Sequence, residues 1–386
     1  MDNKKSNSII MILGIMAFFA NGDNYAVSPL LGNIASDLGL TISQASLSVT
    51  AYMLTFGLFT IIIGPLGDKY GKTKVINIAA FGTAIFSMLG AFSFNLPSLI
   101  FLRAMNGAFG AGIFPVTMAL VGENSSDSNR QKSIGKVMGM MFLGGASATV
   151  VGGALAYFGS WRLVYFIYGL GELIIALIMV KVLPKSEVSH GKIQFISVYK
   201  KALESKDLLK TVGTIFLVGF SVFGSFTFTG QLVGGRTGYN VFVVGLILTL
   251  FGIATVVGGR IAPKVRGRLK DKFLLVAGIL GAISLFTIAK SANIILIGLG
   301  LIGFGLAFIA MQSTLVNAAQ DKLPKLRGTA MSLASFCMFV GGAVGTNLNS
   351  IVLDKYGIGM VFIIASIAMV LVAILSKTVI KENVTK

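Results

Sequence analysis

Long apolar runs alternate with short polar segments along almost the whole chain. Each run has roughly twenty residues, the length at which an α-helix crosses a hydrocarbon core of about 30 Å. Backbone groups inside a bilayer must pair within their own segment, so each run is predicted to be a helix. We number these predicted spans 1 to 12: 8–31, 43–66, 75–94, 97–121, 137–158, 163–183, 210–232, 239–259, 273–290, 292–315, 329–350 and 357–377. The pattern predicts an all-α membrane protein with twelve transmembrane helices.

The composition supports a membrane protein and argues against a soluble enzyme or a nucleic-acid binder. Charged residues make up 12% of the chain, against about 25% in soluble proteins. The net charge of +18 is unevenly placed: 27 of the 32 Lys and Arg residues lie in segments on one side of the spans and four on the other, while Arg103 lies within span 4. Positive charge concentrates on the cytoplasmic side. Both termini are therefore predicted to be cytoplasmic.

The second half of the sequence repeats the first. Residues 141–146 read MFLGGA and residues 338–343 read MFVGGA, an offset close to half of the 386-residue length. Parallel repeats of this kind are found in transporters whose two halves are related by an axis along the membrane normal, with the substrate site near the midplane between them. We therefore predict an N-terminal six-helix half at 1–183, a cytoplasmic linker at 184–209 and a C-terminal six-helix half at 210–386.

The segment 64–74, GPLGDKYGKTK, resembles the loop between the second and third helices of major facilitator superfamily transporters. The four residues on that motif's fixed positions are Gly64, Leu66, Asp68 and Gly71. Lys69 and Lys72 stand where arginine is usual. The resemblance implies a pseudo-symmetric twelve-helix fold and secondary active transport of a small molecule by alternating access. It also implies a monomer in the cell membrane, with no enzymatic activity, no cofactor and no nucleic-acid partner.

Two further segments are similar to the drug:proton antiporter branch of this superfamily. They are 23–39 in span 1 and 99–107 in span 4, and in the latter the arginine, here Arg103, is implicated in proton transfer. This similarity implies proton-coupled efflux of amphipathic compounds. One departure leaves the prediction open, because Ala148 and Thr149 replace the Gly-Pro often found in span 5. A dedicated permease or exporter of one metabolite, such as a sugar, nucleoside or amino acid, is the alternative; a sensor without net flux is a third.

Ionisable residues are costly in hydrocarbon and mark candidate functional sites. Asp23 in span 1, Arg103 in span 4 and Glu172 in span 6 are the three such residues, and spans 7 to 12 have none between their ends. Any proton-coupling carboxylate is therefore predicted in the N-terminal half. At 1.5 Å per residue, Asp23 and Arg103 both lie about 9–12 Å below the outer surface. A pair between them would keep Asp23 ionised until a proton or a cationic substrate displaced Arg103; a static structural pair is the alternative.

Glu172 is predicted about 16 Å deep, close to the midplane. It is either a second proton carrier or a neutral acid that hydrogen-bonds a neighbouring helix. We expect Asp23 to be reached from a water-filled cleft that opens to each side in turn. The polar residues predicted to line the substrate cavity are Asn24, Tyr52, Gln231 and Gln312.

The 64–74 segment is also predicted to be a cytoplasmic gate. The resemblance implies that it latches span 2 to span 11, with Asp68 accepting from the amides near Gly328 at the start of span 11, where the helix dipole favours an anion. Lys69 or Lys72 is expected to pair with Glu123 at the inner end of span 4. The alternative is that the positive charges only determine topology.

The linker contains the single histidine, His190, and the single cysteine, Cys337, lies within span 11. No metal site is therefore expected. Phe195, Tyr199 and Ala202 are spaced for one face of a helix, so the linker is either a short helix on the inner membrane surface or a solvated connection.

Overall fold

The computed structural model of the protein describes residues 3–125, 127–186, 199–200 and 202–379. Within these ranges the chain is made of α-helices and three short 3-10 helices, without strands. The N-terminal half contains span 1 (Asn3–Tyr25 and Leu31–Leu38), span 2 (Ile42–Tyr70), span 3 (Lys72–Gly90), span 4 (Leu96–Gly110 and Ile113–Glu123), span 5 (Asp127–Phe158) and span 6 (Trp161–Val182). The C-terminal half contains span 7 (Lys206–Phe226 and Thr229–Thr237), span 8 (Val241–Leu269), span 9 (Phe273–Lys290), span 10 (Ile294–Lys322), span 11 (Arg327–Tyr356) and span 12 (Ile358–Val379).

In the described ranges, eleven helical runs are long and apolar enough to cross a membrane. One of them, Val241–Lys290, has 50 residues. At 1.5 Å per residue a continuous helix of that length would extend about 75 Å, more than twice the hydrocarbon core. The run is interrupted by the 3-10 helix Lys270–Lys272, where Lys270 has φ of 45°. It therefore contains the two predicted spans 8 and 9, and the all-α membrane fold is confirmed.

Several helices are longer than the apolar runs that predicted them. Span 5 begins at Asp127 rather than at residue 137, and span 8 continues to Leu269 rather than ending at residue 259. The apolar length is limited by the bilayer, whereas the helix continues through residues such as Arg, Lys and Gln, which have good helix propensity in water. The predicted span limits were wrong at these ends for that reason.

Spans 1 and 7 are both broken near the face opposite the linker, which we call the outer face; the linker side is the inner face. In span 1, Pro29 lies in the 3-10 helix Ser28–Leu30. In span 7, the helix ends at Phe226 and restarts at Thr229. The two breaks meet, because the Ser28 hydroxyl donates to the Phe226 carbonyl at 2.6 Å. This contact joins the two halves at their outer ends.

The internal repeat in the sequence corresponds to a repeated helix contact. A Cβ added at Gly144 of span 5 would lie 2.1 Å from the Phe18 carbonyl oxygen of span 1. A Cβ added at Gly341 of span 11 would lie 2.1 Å from the Phe216 carbonyl oxygen of span 7. Small residues allow membrane helices to approach closely. The MFxGGA segments therefore place equivalent backbone-to-backbone contacts in the two halves.

The two halves contact each other along spans 2 and 11 from one face to the other. At the outer end, the Ser43 hydroxyl donates to Asp354 at 2.5 Å. At the inner end, the position of a Cβ on Gly64 is 3.8 Å from the Ser332 hydroxyl. Spans 5 and 8 form a second seam, where the Thr149 and Thr249 hydroxyls lie 3.1 Å apart. The seam between spans 2 and 11 is therefore closed at both the outer and the inner end in this conformation.

Candidate functional site

A buried ion pair joins spans 1 and 4. An Arg103 Nη atom lies 3.1 Å from Asp23 Oδ2, and the two side chains are 1% and 2% exposed. Asp23 lies just before the break in span 1, since the first helix of that span ends at Tyr25. The sequence prediction that these residues lie at similar depth on adjacent helices agrees with this geometry. Water does not reach the pair in this closed conformation, so the expected cleft at Asp23 requires a different one.

Polar side chains from span 3 and span 4 support the pair. The Ser87 hydroxyl donates to the second Asp23 oxygen at 3.2 Å. Arg103 donates to the Asn106 side-chain oxygen Oδ1 at 3.4 Å, and the Asn106 side-chain amide donates to the Thr83 backbone carbonyl at 3.0 Å. The Ser87 hydroxyl also lies 3.1 Å from the Tyr165 carbonyl oxygen, so its single proton serves either acceptor. Asn106 anchors the arginine to span 3.

Two tyrosines enclose the guanidinium group. The Arg103 Cζ atom lies 4.6 Å from the centroid of the Tyr52 ring and 5.0 Å from that of Tyr165. Cation–π contacts are worth about 2 kcal/mol or more when desolvated. Tyr52, predicted as a cavity residue, therefore contacts the charged network directly.

Glu172 completes a group of three ionisable residues. It is 0% exposed, and the Thr83 hydroxyl is a hydrogen-bonding neighbour of its carboxyl group. It interacts electrostatically with Asp23 and Arg103. Among the described residues, the Nε atom of Arg103 is buried without a partner. The group thus contains one unused donor, the Nε atom of Arg103.

A small cavity lies between the halves, beside this network. Its volume is about 20 Å³, and Asn24 and Tyr25 of span 1, Met53 of span 2, and Phe223 and Phe226 of span 7 are among its lining residues. A cavity needs about 10–15 Å³ on this measure to hold one water molecule, so this one is too small for an organic substrate. The cavity marks where the two halves meet, and it is not large enough to be a substrate site in this conformation.

An aromatic cluster surrounds the cavity and crosses the interface. Tyr25 contacts Phe226 with ring centroids 5.7 Å apart, and Phe226 contacts Phe251 of span 8 at 4.5 Å. Phe56 of span 2 stacks on Phe339 of span 11 at 3.9 Å. We call these five residues, together with Phe223 and Phe308, the interface aromatic cluster; Phe223 lies 5.9 Å from Phe308.

A chain of ring contacts joins the ion pair to this cluster. Arg103 stacks on Tyr52, and Tyr52 lies 5.9 Å from Phe56, one turn further along span 2. Phe56 in turn stacks on Phe339 of the other half. A movement of Arg103 would therefore be transmitted to the interface through side chains in direct contact.

The predicted cavity residues are not all brought together. Asn24 lines the cavity. Gln231 lies at the outer end of span 7, with its side-chain oxygen 3.2 Å from the position of a Cβ on Gly32. Gln312 lies on span 10, and its side-chain oxygen is buried without a hydrogen-bond partner among the described residues.

The predicted gate segment connects spans 2 and 3 at the inner face. Lys72 pairs with Glu123 at 2.6 Å, whereas Lys69 lies over the Tyr70 ring. Both partners of the ion pair belong to the N-terminal half, so the pair alone does not join the halves. Gly71, between the two helices, has φ of 90°, a value that favours glycine. The side chain of Asp68 lies outside the described residues, so its contact with span 11 stays a prediction.

Sequence reasoning missed the polar partners of the ion pair. Asn106 could have been found, because it follows Arg103 by three residues and so lies on the same helix face. Ser87 and Thr83 could not, because serine and threonine are common in membrane helices and carry no distinctive signal. The Ser43–Asp354 contact joins residues 311 positions apart, and no local pattern marks it.

Comparisons with known proteins agree with this architecture. A family model described as Major Facilitator Superfamily matches residues 13–346. The chain is 24% identical over 354 residues to an "Uncharacterized transporter" of Buchnera aphidicola, covering 89% of this chain and 84% of the relative. It is 26% identical over 362 residues to the "Multi-drug resistance efflux pump PmrA" of Streptococcus pneumoniae, covering 88% of each chain. The crystal structure of a mutant of the nucleoside transporter NupG superposes with a TM-score of 0.80 at 15% identity, covering 97% of this chain and 100% of the other.

A helical membrane fold that surrounds a buried charge network defines a multi-pass membrane transporter rather than an enzyme. The chain belongs to the Major Facilitator Superfamily, whose members carry small-molecule substrates. The family predicted from the sequence is confirmed. The NupG likeness establishes the fold alone, because the identity is low.

Proposed function

We propose that this transporter exports small amphipathic compounds in exchange for protons, with both termini in the cytoplasm. The observation that carries the proposal is the buried Asp23–Arg103 pair with the fully buried Glu172 beside it. The relative PmrA, named as a multidrug efflux pump, supports export of drug-like compounds. The concentration of basic residues at the inner face supports the orientation.

Charge balance in the network indicates one bound proton in the closed conformation. Two carboxylates and one guanidinium group would leave a net negative charge in a dry environment, at a cost of several kcal/mol. A single proton neutralises the group. Because Asp23 is already paired with Arg103, the proton belongs on Glu172, whose hydrogen-bonding neighbour is the neutral Thr83 hydroxyl.

Exchange of Arg103 between the two carboxylates then provides a coupling step. When a proton reaches Asp23 from the outer side, the arginine loses its partner and its unused Nε can bind a newly ionised Glu172. The proton released by Glu172 leaves towards the inner side when that face opens. Transfer of the proton from Asp23 to Glu172 then returns Arg103 to Asp23 and restores the starting state, so each cycle carries one proton from the outer to the inner side.

The interface aromatic cluster is the proposed substrate surface. Rings suit flat, apolar or aromatic compounds and tolerate varied shapes, because stacking contacts do not require fixed hydrogen bonds. Opening of the seam between spans 2 and 11 separates Phe56 from Phe339 and exposes this surface. The contact between Tyr52 and Arg103 links substrate entry to the proton position.

Asp23→Asn is the decisive test of coupling. We expect proton-driven accumulation of an ethidium-like dye in inverted vesicles to fall by at least tenfold, because the amide cannot release a proton. Substrate counterflow in proteoliposomes without a proton gradient should persist. The matched control is Asp207→Asn at the exposed start of span 7, which should leave both activities unchanged.

Other outcomes of the same assays would reject the proposal. Undiminished dye accumulation in Asp23→Asn removes this carboxylate from the mechanism. Competition by one metabolite class without dye transport would indicate the dedicated permease, and absence of counterflow in the unmodified protein would indicate a sensor.

Glu172→Gln tests the neutral state of the glutamate. A neutral acid and an amide have nearly the same shape and charge, so we expect the midpoint of thermal unfolding to change by less than about 2 °C. A shift of that size corresponds to a change of less than about 1 kcal/mol in the free energy of unfolding. The pH dependence of dye transport should be lost, because the amide carries no proton. A large loss of stability would show that Glu172 is ionised in the closed state, contrary to the proposal.

A further inference from the structure

Pro65 leaves a vacancy in the hydrogen-bond pattern of span 2. It lies inside the helix Ile42–Tyr70, and proline has no backbone N–H to donate to the carbonyl four residues earlier. That carbonyl belongs to Ile61. In a membrane helix a carbonyl without its donor needs another partner.

The missing donor is supplied from the linker. The Tyr199 hydroxyl donates to the Ile61 carbonyl oxygen at 2.9 Å, across 138 residues of sequence. Partial burial raises the pKa of the Tyr199 phenol, and hydrogen bonding with Ser332 opposes that rise. The phenol therefore stays protonated at neutral pH and retains the proton that it donates.

The same tyrosine reaches the other half of the protein. Ser332, its second hydrogen-bonding neighbour, lies in span 11 and also faces Gly64 of span 2. The helical turn that carries Tyr199 is seated on the interface, since Ala202 is fully buried and packs in the core between the halves. This part of the linker is a docked turn rather than a solvated connection.

We propose that Tyr199 is a positioning residue for the inner seam: its hydroxyl replaces the donor that Pro65 lacks and holds the linker turn against Ile61 of span 2 and Ser332 of span 11. Spans 2 and 11 must separate when the inner face opens, so the Tyr199 contacts have to break in each transport cycle. The proline thus creates a docking point for the linker at the seam. The proposal does not depend on the substrate or on proton coupling.

A double-mutant cycle between positions 199 and 65 tests the proposal. Tyr199→Phe removes only the hydroxyl, and Pro65→Ala restores an N–H that can reach the Ile61 carbonyl. The first readout is trypsin cleavage after Lys200 in the purified full-length protein, followed by mass spectrometry. Cleavage reports the population of the undocked turn when opening is fast relative to proteolysis. The second readout is transport in proteoliposomes, as KM and maximal rate.

We expect Tyr199→Phe to raise the cleavage rate about fivefold, the change in population that follows from losing one typical hydrogen bond. The maximal rate should change while KM stays the same, because the Tyr199 hydroxyl bonds Ile61 and Ser332 and not a ring of the interface aromatic cluster. On the Pro65→Ala background the same Tyr→Phe change should have an effect smaller than twofold, because the carbonyl already has a donor. Tyr239→Phe, at an exposed outer position, is the matched control and should behave as the unmodified protein.

Two results would overturn the proposal. Equal effects of Tyr199→Phe on both backgrounds would show that the hydroxyl does not replace the missing donor. Cleavage of Tyr199→Phe no faster than that of Tyr239→Phe would show that the hydroxyl does not hold the turn, and this comparison decides the matter even if Pro65→Ala fails to fold. Loss of dye transport in the unmodified protein would reject the proposed substrate without affecting the cleavage result.

Discussion

Arg103→Leu is expected to destabilise the protein by about 3–5 kcal/mol, because it leaves a buried carboxylate without its partner. Asp23 would keep only the Ser87 hydroxyl as a donor, and the space between Tyr52 and Tyr165 would lose its cation. The loss should appear as a lower midpoint of thermal unfolding in detergent and as reduced recovery of monodisperse protein. Dye transport should fall below detection.

Two further variants separate charge from packing in this experiment. Asp23→Asn combined with Arg103→Leu removes both charges, so it should recover part of the stability without recovering transport. Arg103→Lys keeps the charge but loses the planar group that contacts Asp23 and Asn106 together, so it should be intermediate. If Arg103→Leu were as stable as the unmodified protein, Asp23 would have to be neutral in the closed state, and the coupling scheme would need a different proton count.

The location of the charged network was predictable because charge is rare in hydrocarbon. Asp23, Arg103 and Glu172 stand out of apolar runs, and the helical rise places two of them at one depth. The hydrogen-bond partners of these charged side chains were not predictable, because they depend on which helix faces meet. Ser87 and Asn106 enter the network only because spans 1, 3 and 4 pack together.

The interface residues show a second limit of sequence reasoning. Gln231 and Gln312 were predicted as cavity residues, but neither is among the residues that line the cavity with Asn24. The rings of the interface aromatic cluster belong to spans 1, 2, 7, 8, 10 and 11, and phenylalanine occurs 29 times in the chain. Composition therefore indicates aromatic packing without saying which rings meet.

The sequence left the linker as a short helix on the inner membrane surface or a solvated connection, whereas Tyr199 and Ala202 pack against protein. The spacing of Tyr199 and Ala202 indicated one helix face, but a face can be turned to lipid, water or protein. The Ile61 carbonyl that attracts Tyr199 lies in another helix. The sequence shows that Pro65 has no N–H to donate. It does not show that the Tyr199 hydroxyl supplies the donor instead.

Gly144→Ala and Gly341→Ala are expected to cause the second large loss, of similar size in the two halves. In each case the new methyl group would lie 2.1 Å from a backbone carbonyl oxygen of the neighbouring helix. A backbone atom cannot rotate away as a side chain can, so spans 1 and 5, or spans 7 and 11, must move apart. Overpacking of this kind costs about 1–3 kcal/mol or more, measured as a lower midpoint of thermal unfolding.

Glycines on the same helices provide matched controls for these two substitutions. A Cβ at Gly135 of span 5 or at Gly328 of span 11 meets no atom within 4 Å. Alanine there should be neutral or stabilising by up to about 1 kcal/mol, because alanine has the higher helix propensity. Unequal losses at Gly144 and Gly341 would mean that the repeated segments have diverged in the packing they support. Equal losses, with neutral controls, would show that close approach rather than helix propensity keeps glycine at both positions, and that the two halves preserve one packing solution.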